Sequence, residues 1–190
     1  MKYYKVLKAD GSCCNGGTGK WYLPKKQKDG SWKPGRWMPE IEGKLIPCKN
    51  GYHICRPQDL IEWLDEAIFE VEYKGEIIEA GNKCVVRKAR LLCKVETWNE
   101  KTARLFAIDI IQHLSTLQGE DDNDKYHIDL NNINTPRMIS GHAIGFAGWY
   151  AAHKASSDMS FAAWCNARDD EIKWQAEKLM EYLEEVKHEV

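Results

Sequence analysis

Four polar residues in the first half of the chain have types and spacings that suit ligand chemistry. Glu70 and Glu72 stand two apart in the alternating run Phe69-Glu70-Val71-Glu72-Tyr73, so their carboxylates leave one face of a strand together. Arg87 falls among Val85, Ala89 and Leu91 on the following run, and His53 sits on a short run before both. If the sheet carrying them borders a cleft, the arginine would clamp a phosphate through its fork of donors. A glutamate would then act as base or as ribose acceptor. Such a set would take a nucleotide or another phosphorylated ligand. The competing reading is a solvated sheet face with cross-strand ion pairs, which the pattern favours.

Cys13, Cys14, Cys48, His53 and Cys55 are soft ligands within one region. Zinc sites of this composition usually show a Cys-x-x-Cys pair, which is absent here, and two adjacent cysteines chelate one ion poorly. We therefore expect no metal, and ordinary thiols at these positions. His53 and Cys55 share a strand face, but alternate strand residues always do, so a cysteine nucleophile does not follow. Trp21, Trp32 and Trp37 interleave with Lys33 and Arg36, a mixture that could stack bases and neutralise phosphates of single-stranded nucleic acid. Buried tryptophan anchors with solubilising lysines explain the same mixture, and we favour that explanation. Asp121, Asp122 and Asp124 lack the glycine and terminal glutamate of a calcium loop.

The elements that must position these residues are legible in part. Lys2–Lys8 reads as a first strand ending at the Asp10-Gly11 turn, followed by a loop over residues 12–19. Residues 20–47 hold four prolines and read as a long ordered loop with one or two short strands, pinned by tryptophans. Tyr52–Cys55 is a short strand, and Pro57 opens a short helix to Leu64. Two strands follow, one through Tyr73 with Lys74-Gly75 as a turn before Glu76–Glu79, and one over Cys84–Val95. On the latter Val85, Arg87, Ala89, Leu91, Cys93 and Val95 are expected to share a face. Thr97-Trp98-Asn99-Glu100 reads as a capping box opening a helix to about Leu117. An acidic connector over 120–134, a helix from Thr135-Pro136 with a stripe of Gly141, Gly145, Gly148 and Ala152, and a last helix from about Ser157 to Lys187 complete the chain. On that last helix Phe161, Trp164, Cys165, Arg168, Ile172, Gln175, Leu179, Leu183 and Val186 are expected to line one side.

The composition sets bounds. The 190 residues are 43% hydrophobic with eight tryptophans, enough for a core. The net charge of −2 hides an asymmetry: residues 1–60 carry twelve Lys and Arg against five Asp and Glu, and residues 61–190 carry fifteen against twenty-four. Seven cysteines, an odd number, with no apolar leader before the first strand, suggest free thiols and a cytoplasmic protein. No apolar run reaches the ~18 residues of a membrane span.

The elements Gly51-Tyr52-His53-x-Cys55 and Val85-Val86-Arg87-x-Ala89-Arg90-Leu91, with Gly35-x-Trp37 and Trp98-Asn99-Glu100, resemble a family of small uncharacterised bacteriophage and prophage proteins. That resemblance implies an accessory protein acting inside a bacterial cell. The order Tyr52-His53, helix Pro57–Leu64, then a strand bearing Glu70 and Glu72 is also similar in outline to ADP-ribosyltransferase-like folds. We expect an α+β protein, with a small, mostly antiparallel sheet in the basic, tryptophan-rich residues 1–95 and about three long helices in residues 96–190 packed on it. We expect it to bind a host protein or a nucleotide without catalysis and without a resident cofactor. A nucleotide-processing enzyme and a single-stranded nucleic-acid binder are the alternatives. The oligomeric state is open.

Overall fold

The computed structural model describes residues 1–14, 16–117 and 161–184, together with 141, 145, 148 and 151. The chain divides into two compact units, Met1–Trp98 and Asn99–Val190. The expected connector over 120–134, Asp121, Asp122 and Asp124, the starts of the two later helices, and the residues after Glu184 lie outside the described residues. The class is α+β, with a curled antiparallel sheet in the first unit and helices in the second.

The first unit is built on β1 (Tyr3–Leu7), β4 (Tyr52–Ile54), β5 (Ala67–Glu79) and β6 (Cys84–Lys94), in the order β1-β5-β6-β4 with all pairs antiparallel. A separate two-stranded ribbon joins β2 (Lys25–Lys26) to β3 (Trp32–Lys33). The alternation that marks β5 in the sequence buries Phe69 and Val71 against Leu7, Trp21, Ile54, Ala89 and Leu91. A fully buried side chain of this size contributes roughly 1.5–3 kcal/mol. That cluster is the reason the sheet keeps this register, because a one-residue slip would turn every member outward.

Two sequence expectations fail on β5 and β6 for one reason, the β-bulge. Lys74-Gly75 is not a turn. β5 runs through it, with an irregularity between Lys74 and Ile77 that Gly75 accommodates at φ 82°. Farther along, Glu70 pairs with Cys93 and Val71 with Leu91, so two steps on β6 match one on β5. Cys93 thus leaves the face of Leu91. Bulges also tighten strand twist, and this sheet curls until its two outer strands meet. Tyr4 donates its N–H to Cys55 and accepts the N–H of Cys55 in return, both at 2.8 Å.

β4 is only three residues long and covers β6 no farther than Val86. Residues 35–41 cover the rest of that edge. The N–H groups of Gly35, Met38 and Ile41 reach the carbonyls of Leu91, Ala89 and Arg87 at 2.9, 2.9 and 3.0 Å. This is what the proline-rich segment is for: it pairs the exposed edge where bonds are needed and places its prolines, which cannot donate, at non-bonding positions, Pro34 just before Gly35 and Pro39 between Met38 and Ile41. Gly35 is obligatory, since a Cβ there would fall 2.0 Å from the Tyr22 carbonyl oxygen.

A 3-10 helix, Pro57–Trp63, links β4 to β5. Arg56 ties it to the sheet, bonding Asp59 at 2.6 Å, Glu79 at 2.8 Å and the Gly81 carbonyl at 2.8 Å. Trp98, 1% exposed, ends the unit by donating its indole N–H to the Asp65 carbonyl at 2.8 Å.

In the second unit α1 (Glu100–Leu117) starts two residues later than the Thr97 box implies. Asn99 is its cap: the Thr102 N–H meets Asn99 Oδ1 at 3.2 Å and the Asn99 N–H meets Thr102 Oγ1 at 3.0 Å. α2 (Phe161–Glu184) packs on α1, with Tyr182 donating to Asp109 at 2.8 Å and His113 on Glu171 at 3.1 Å. Its buried side is Glu171, Gln175, Ala176, Leu179 and Leu183, whereas Phe161 is 79% exposed, so the expected apolar side is correct only for its C-terminal half. Gly141, Gly145, Gly148 and Ala151 are helical. No helix among the described residues is long and apolar enough to cross a membrane.

Candidate functional site

The closure of the curled sheet leaves a cavity of about 250 Å³ on the side of the Tyr4–Cys55 bridge. β1 supplies Lys5 and Val6, β4 and the bridge supply His53 and Cys55, and the loop after β1 supplies Cys13, Cys14, Gly16 and Gly17. Cys48 comes from the turn before β4, Trp63 from the 3-10 helix, and Lys83 from the residue just before β6. The fold therefore brings the adjacent Cys13 and Cys14 of the loop after β1 to the side of Cys48, His53 and Cys55.

His53 is the centre of the site. Its Nε2 accepts the backbone N–H of Cys48 at 2.9 Å. An acceptor nitrogen is unprotonated, so the neutral ring carries its proton on Nδ1 and keeps one donor. Burial, and then the ammoniums of Lys5 and Lys83, lower the His53 pKa and hold the ring neutral. Cys48 has φ 61°, the one non-glycine residue in the left-handed region among those described. That conformation costs a β-carbon residue about 1–2 kcal/mol. The turn is locked from both ends: Ile46 and Asn50 exchange N–H···O bonds at 2.9 and 2.8 Å, and the Asn50 amide bonds the Glu42 and Lys44 carbonyls at 2.9 and 3.0 Å. Gly51, at φ 139°, then passes under Val85, where a Cβ would fall 2.3 Å from the valine methyl.

The cavity's charge is one-sided. Lys5 lies over the Trp21 ring at 5.4 Å and Lys83 over the Trp63 ring at 4.9 Å, and neither makes an ion pair among the described residues. No aspartate or glutamate lines the cavity. The thiols on its inner wall are held protonated. Burial, and next the nearby Asp65 carboxylate, push Cys14 up to about 11, and its Sγ donates to the Val6 carbonyl at 3.4 Å. Burial pushes Cys55 up to about 12. Among the described residues no group of three or more His, Cys, Asp and Glu side chains is placed to hold a metal ion.

Of the four residues singled out in the sequence, the cavity includes His53. The other three are engaged elsewhere. Glu70 accepts from Lys2 at 2.6 Å, and Glu72 accepts from Arg90 at 2.6 Å. Arg87 bonds the carbonyls of Ile41 and Gly43 at 2.6 and 2.8 Å, tying down the segment that covers the edge of β6. The aromatic and basic set is likewise dispersed. Trp21 is 4% exposed and meets Tyr52 edge-on at 5.3 Å, inside the core. Trp37 has the Lys74 and Arg90 cations over its ring at 4.7 and 4.6 Å, Arg36 covers Tyr22 at 4.0 Å, and Trp32 and Lys33 sit on the β2–β3 ribbon. Sequence reasoning missed Lys5, Lys83 and Trp63. Lys5 reads as a solvated residue on an edge strand, and nothing local marks Lys83 or Trp63 as its neighbours, because the curl of the sheet brings them together.

A family model described as a domain of unknown function, DUF7666, matches residues 1–103. The chain belongs to the DUF7666 family. Its matched span contains the whole first unit and every residue that lines the cavity. The sequence resemblance to an uncharacterised family is thus shown at that level. No curated protein and no solved structure matches the DUF7666 chain.

Proposed function

We propose that the DUF7666 unit is a receptor for a small anionic ligand, of the size and charge of a nucleoside monophosphate, and that the protein works by binding rather than by catalysis. One observation carries this reading: two ammoniums without carboxylate partners and a neutral histidine line one cavity in which no acid stands. Buried or half-buried cations ordinarily sit beside an anion, and here the protein provides none. The volume of about 250 Å³ lies just below the ~300–1,000 Å³ of typical ligand pockets. It suits one phosphate with a ring against Trp63 better than a dinucleotide such as NAD. Nucleotide processing would need a free general base at the cavity wall. His53 Nε2 is committed to Cys48, and Glu70, Glu72 and Arg87 are committed to partners elsewhere, which supports a binding role over a nucleotide-processing one. The likeness of the Gly51–Cys55 and Arg87–Leu91 elements to phage and prophage proteins supplies the setting: a cytoplasmic accessory protein that adjusts host physiology or defence through this ligand or through a host protein.

Calorimetry and thermal unfolding test the reading. Inorganic phosphate, AMP, cyclic nucleotides, ADP-ribose and NAD are added in turn to the full chain. A ligand at a hundred times its Kd stabilises by about 2.7 kcal/mol. Phosphate and AMP should raise Tm, NAD should do so less, and the Lys5→Gln/Lys83→Gln double variant should lose the shift. No shift with any of these anions at millimolar concentration, or an undiminished shift in the double variant, would sink the proposal.

A further inference from the structure

Of the seven free cysteines, Cys48 is the one classed as exposed, and it stands at the mouth of the basic cavity. We infer that Cys48 is a thiolation site, forming a mixed disulfide with a low-molecular-weight anionic thiol of the glutathione type whose carboxylates are held by Lys5 and Lys83. This rests on the anion-receptor reading and names a second ligand for the same cavity, one that is held covalently.

Three features lead there. The first is the pair of ammoniums with no ion-pair partner among the described residues, which concentrates an anionic disulfide beside Cys48. The second is Cys55, 6% exposed, which lines the same cavity and whose side chain makes no hydrogen bond among the described residues. The third is selectivity. Cys14 and Cys55 stay protonated in their buried positions and are poor nucleophiles, and Cys84 is buried in the core, which leaves exposed Cys48 ahead of half-buried Cys13 as the cavity thiol open to a disulfide. The His53 bond to the Cys48 N–H holds the Cys48 backbone in its left-handed conformation beside the cavity.

The step balances without a further oxidant. The Cys48 thiolate attacks one sulfur of glutathione disulfide, the S–S bond of that molecule breaks, and a bond forms between Cys48 Sγ and the attacked sulfur. The other glutathione leaves as thiolate and takes up the proton given up by Cys48. Two thiol–disulfide partners have exchanged, and the adduct fills the cavity that phosphate would otherwise enter.

The experiment is incubation of the full chain with glutathione disulfide and, separately, with the neutral bis(2-hydroxyethyl) disulfide, followed by intact-mass and peptide mass spectrometry. One glutathionyl group per chain on Cys48 is expected, formed on the order of tenfold faster than the neutral adduct. In the Lys5→Gln/Lys83→Gln variant that ratio should fall towards one, and Cys48→Ser should take up none. First modification at another cysteine, or a rate ratio that the lysine substitutions leave unchanged, would overturn the inference. Phosphate titration of Cys48→Ser separates the two readings. If that variant binds phosphate while the wild type is not thiolated at Cys48, the inference fails and the receptor stands. If phosphate does not bind, the receptor reading fails by its own test.

Discussion

Replacing His53 with phenylalanine gives the sharpest test of how the cavity is held together. The substitution keeps a ring on β4 and removes the acceptor that the Cys48 N–H meets at 2.9 Å. A hydrogen bond of this kind contributes ~0.5–1.5 kcal/mol net. Cys48 is exposed, so water can replace part of the lost bond, and the left-handed backbone can relax once released. Both effects place the cost in the lower half of that range, about 0.5–1 kcal/mol. For a unit of this size each kcal/mol moves Tm by about 4–8 °C, so a fall of about 2–8 °C is expected at pH 7.5. The same bond fixes a pH signature. The His53 pKa is lowered in the folded state relative to the usual 6.5, so the unfolded chain binds the proton more readily. The stability that follows from neutral His53 is complete above about pH 6.5 and is lost as pH falls from there towards the folded pKa. One proton sets a limiting slope of about 1.4 kcal/mol per pH unit. The gap between wild type and His53→Phe should therefore close on acidification, because a protonated ring has no acceptor to offer. His53→Gln, which keeps an acceptor and cannot titrate, should match wild type more closely at pH 7.5 and should not lose stability by this route. Urea titrations followed by tryptophan fluorescence at pH 7.5 and pH 5 measure all three, and the difference between proteins cancels the other histidines. Identical pH dependence in wild type and His53→Gln would refute the latch.

Three further substitutions probe the frame around the cavity. Trp98→Phe leaves the buried Asp65 carbonyl without its donor and should cost about 1–3 kcal/mol in denaturant titration. Arg87→Met removes the donors to Ile41 and Gly43, and hydrogen exchange should quicken at Gly35, Met38 and Ile41 with a stability loss of about 1.5–3 kcal/mol. Unchanged protection there would show that the edge segment holds without the arginine. Asn99→Ala removes the cap of α1 and should cost about 1 kcal/mol, whereas Thr97→Ala, outside the observed capping pair, should reduce helicity less by circular dichroism.

The sequence by itself determined the class and most of the elements. Period-two alternation placed β5 and β6, Pro57 placed the 3-10 helix, and three-and-four spacing placed α1, because each of these signals depends only on residues close in the chain. It also marked His53 as chemically interesting. It did not find the bulges, which depend on how two strands compete for register, and so it misplaced Cys93 and read a turn at Gly75. It misassigned the cap of α1 by two residues because Thr97 and Asn99 both offer suitable side chains and only the packed structure selects between them. The grouping of Glu70, Glu72 and Arg87 with His53 rested on strand faces in a flat sheet. Glu72 meets Arg90 directly across the β5–β6 ladder, the cross-strand ion pair that the pattern favoured, and Glu70 and Arg87 have partners of their own, while the curl folds Lys5, Lys83, Cys48 and Trp63 around His53. Convergence of residues from β1, a turn, a 3-10 helix and the residue before β6 is a property of closure, fixed where Tyr4 and Cys55 exchange their hydrogen bonds, and closure leaves no periodic trace in the sequence.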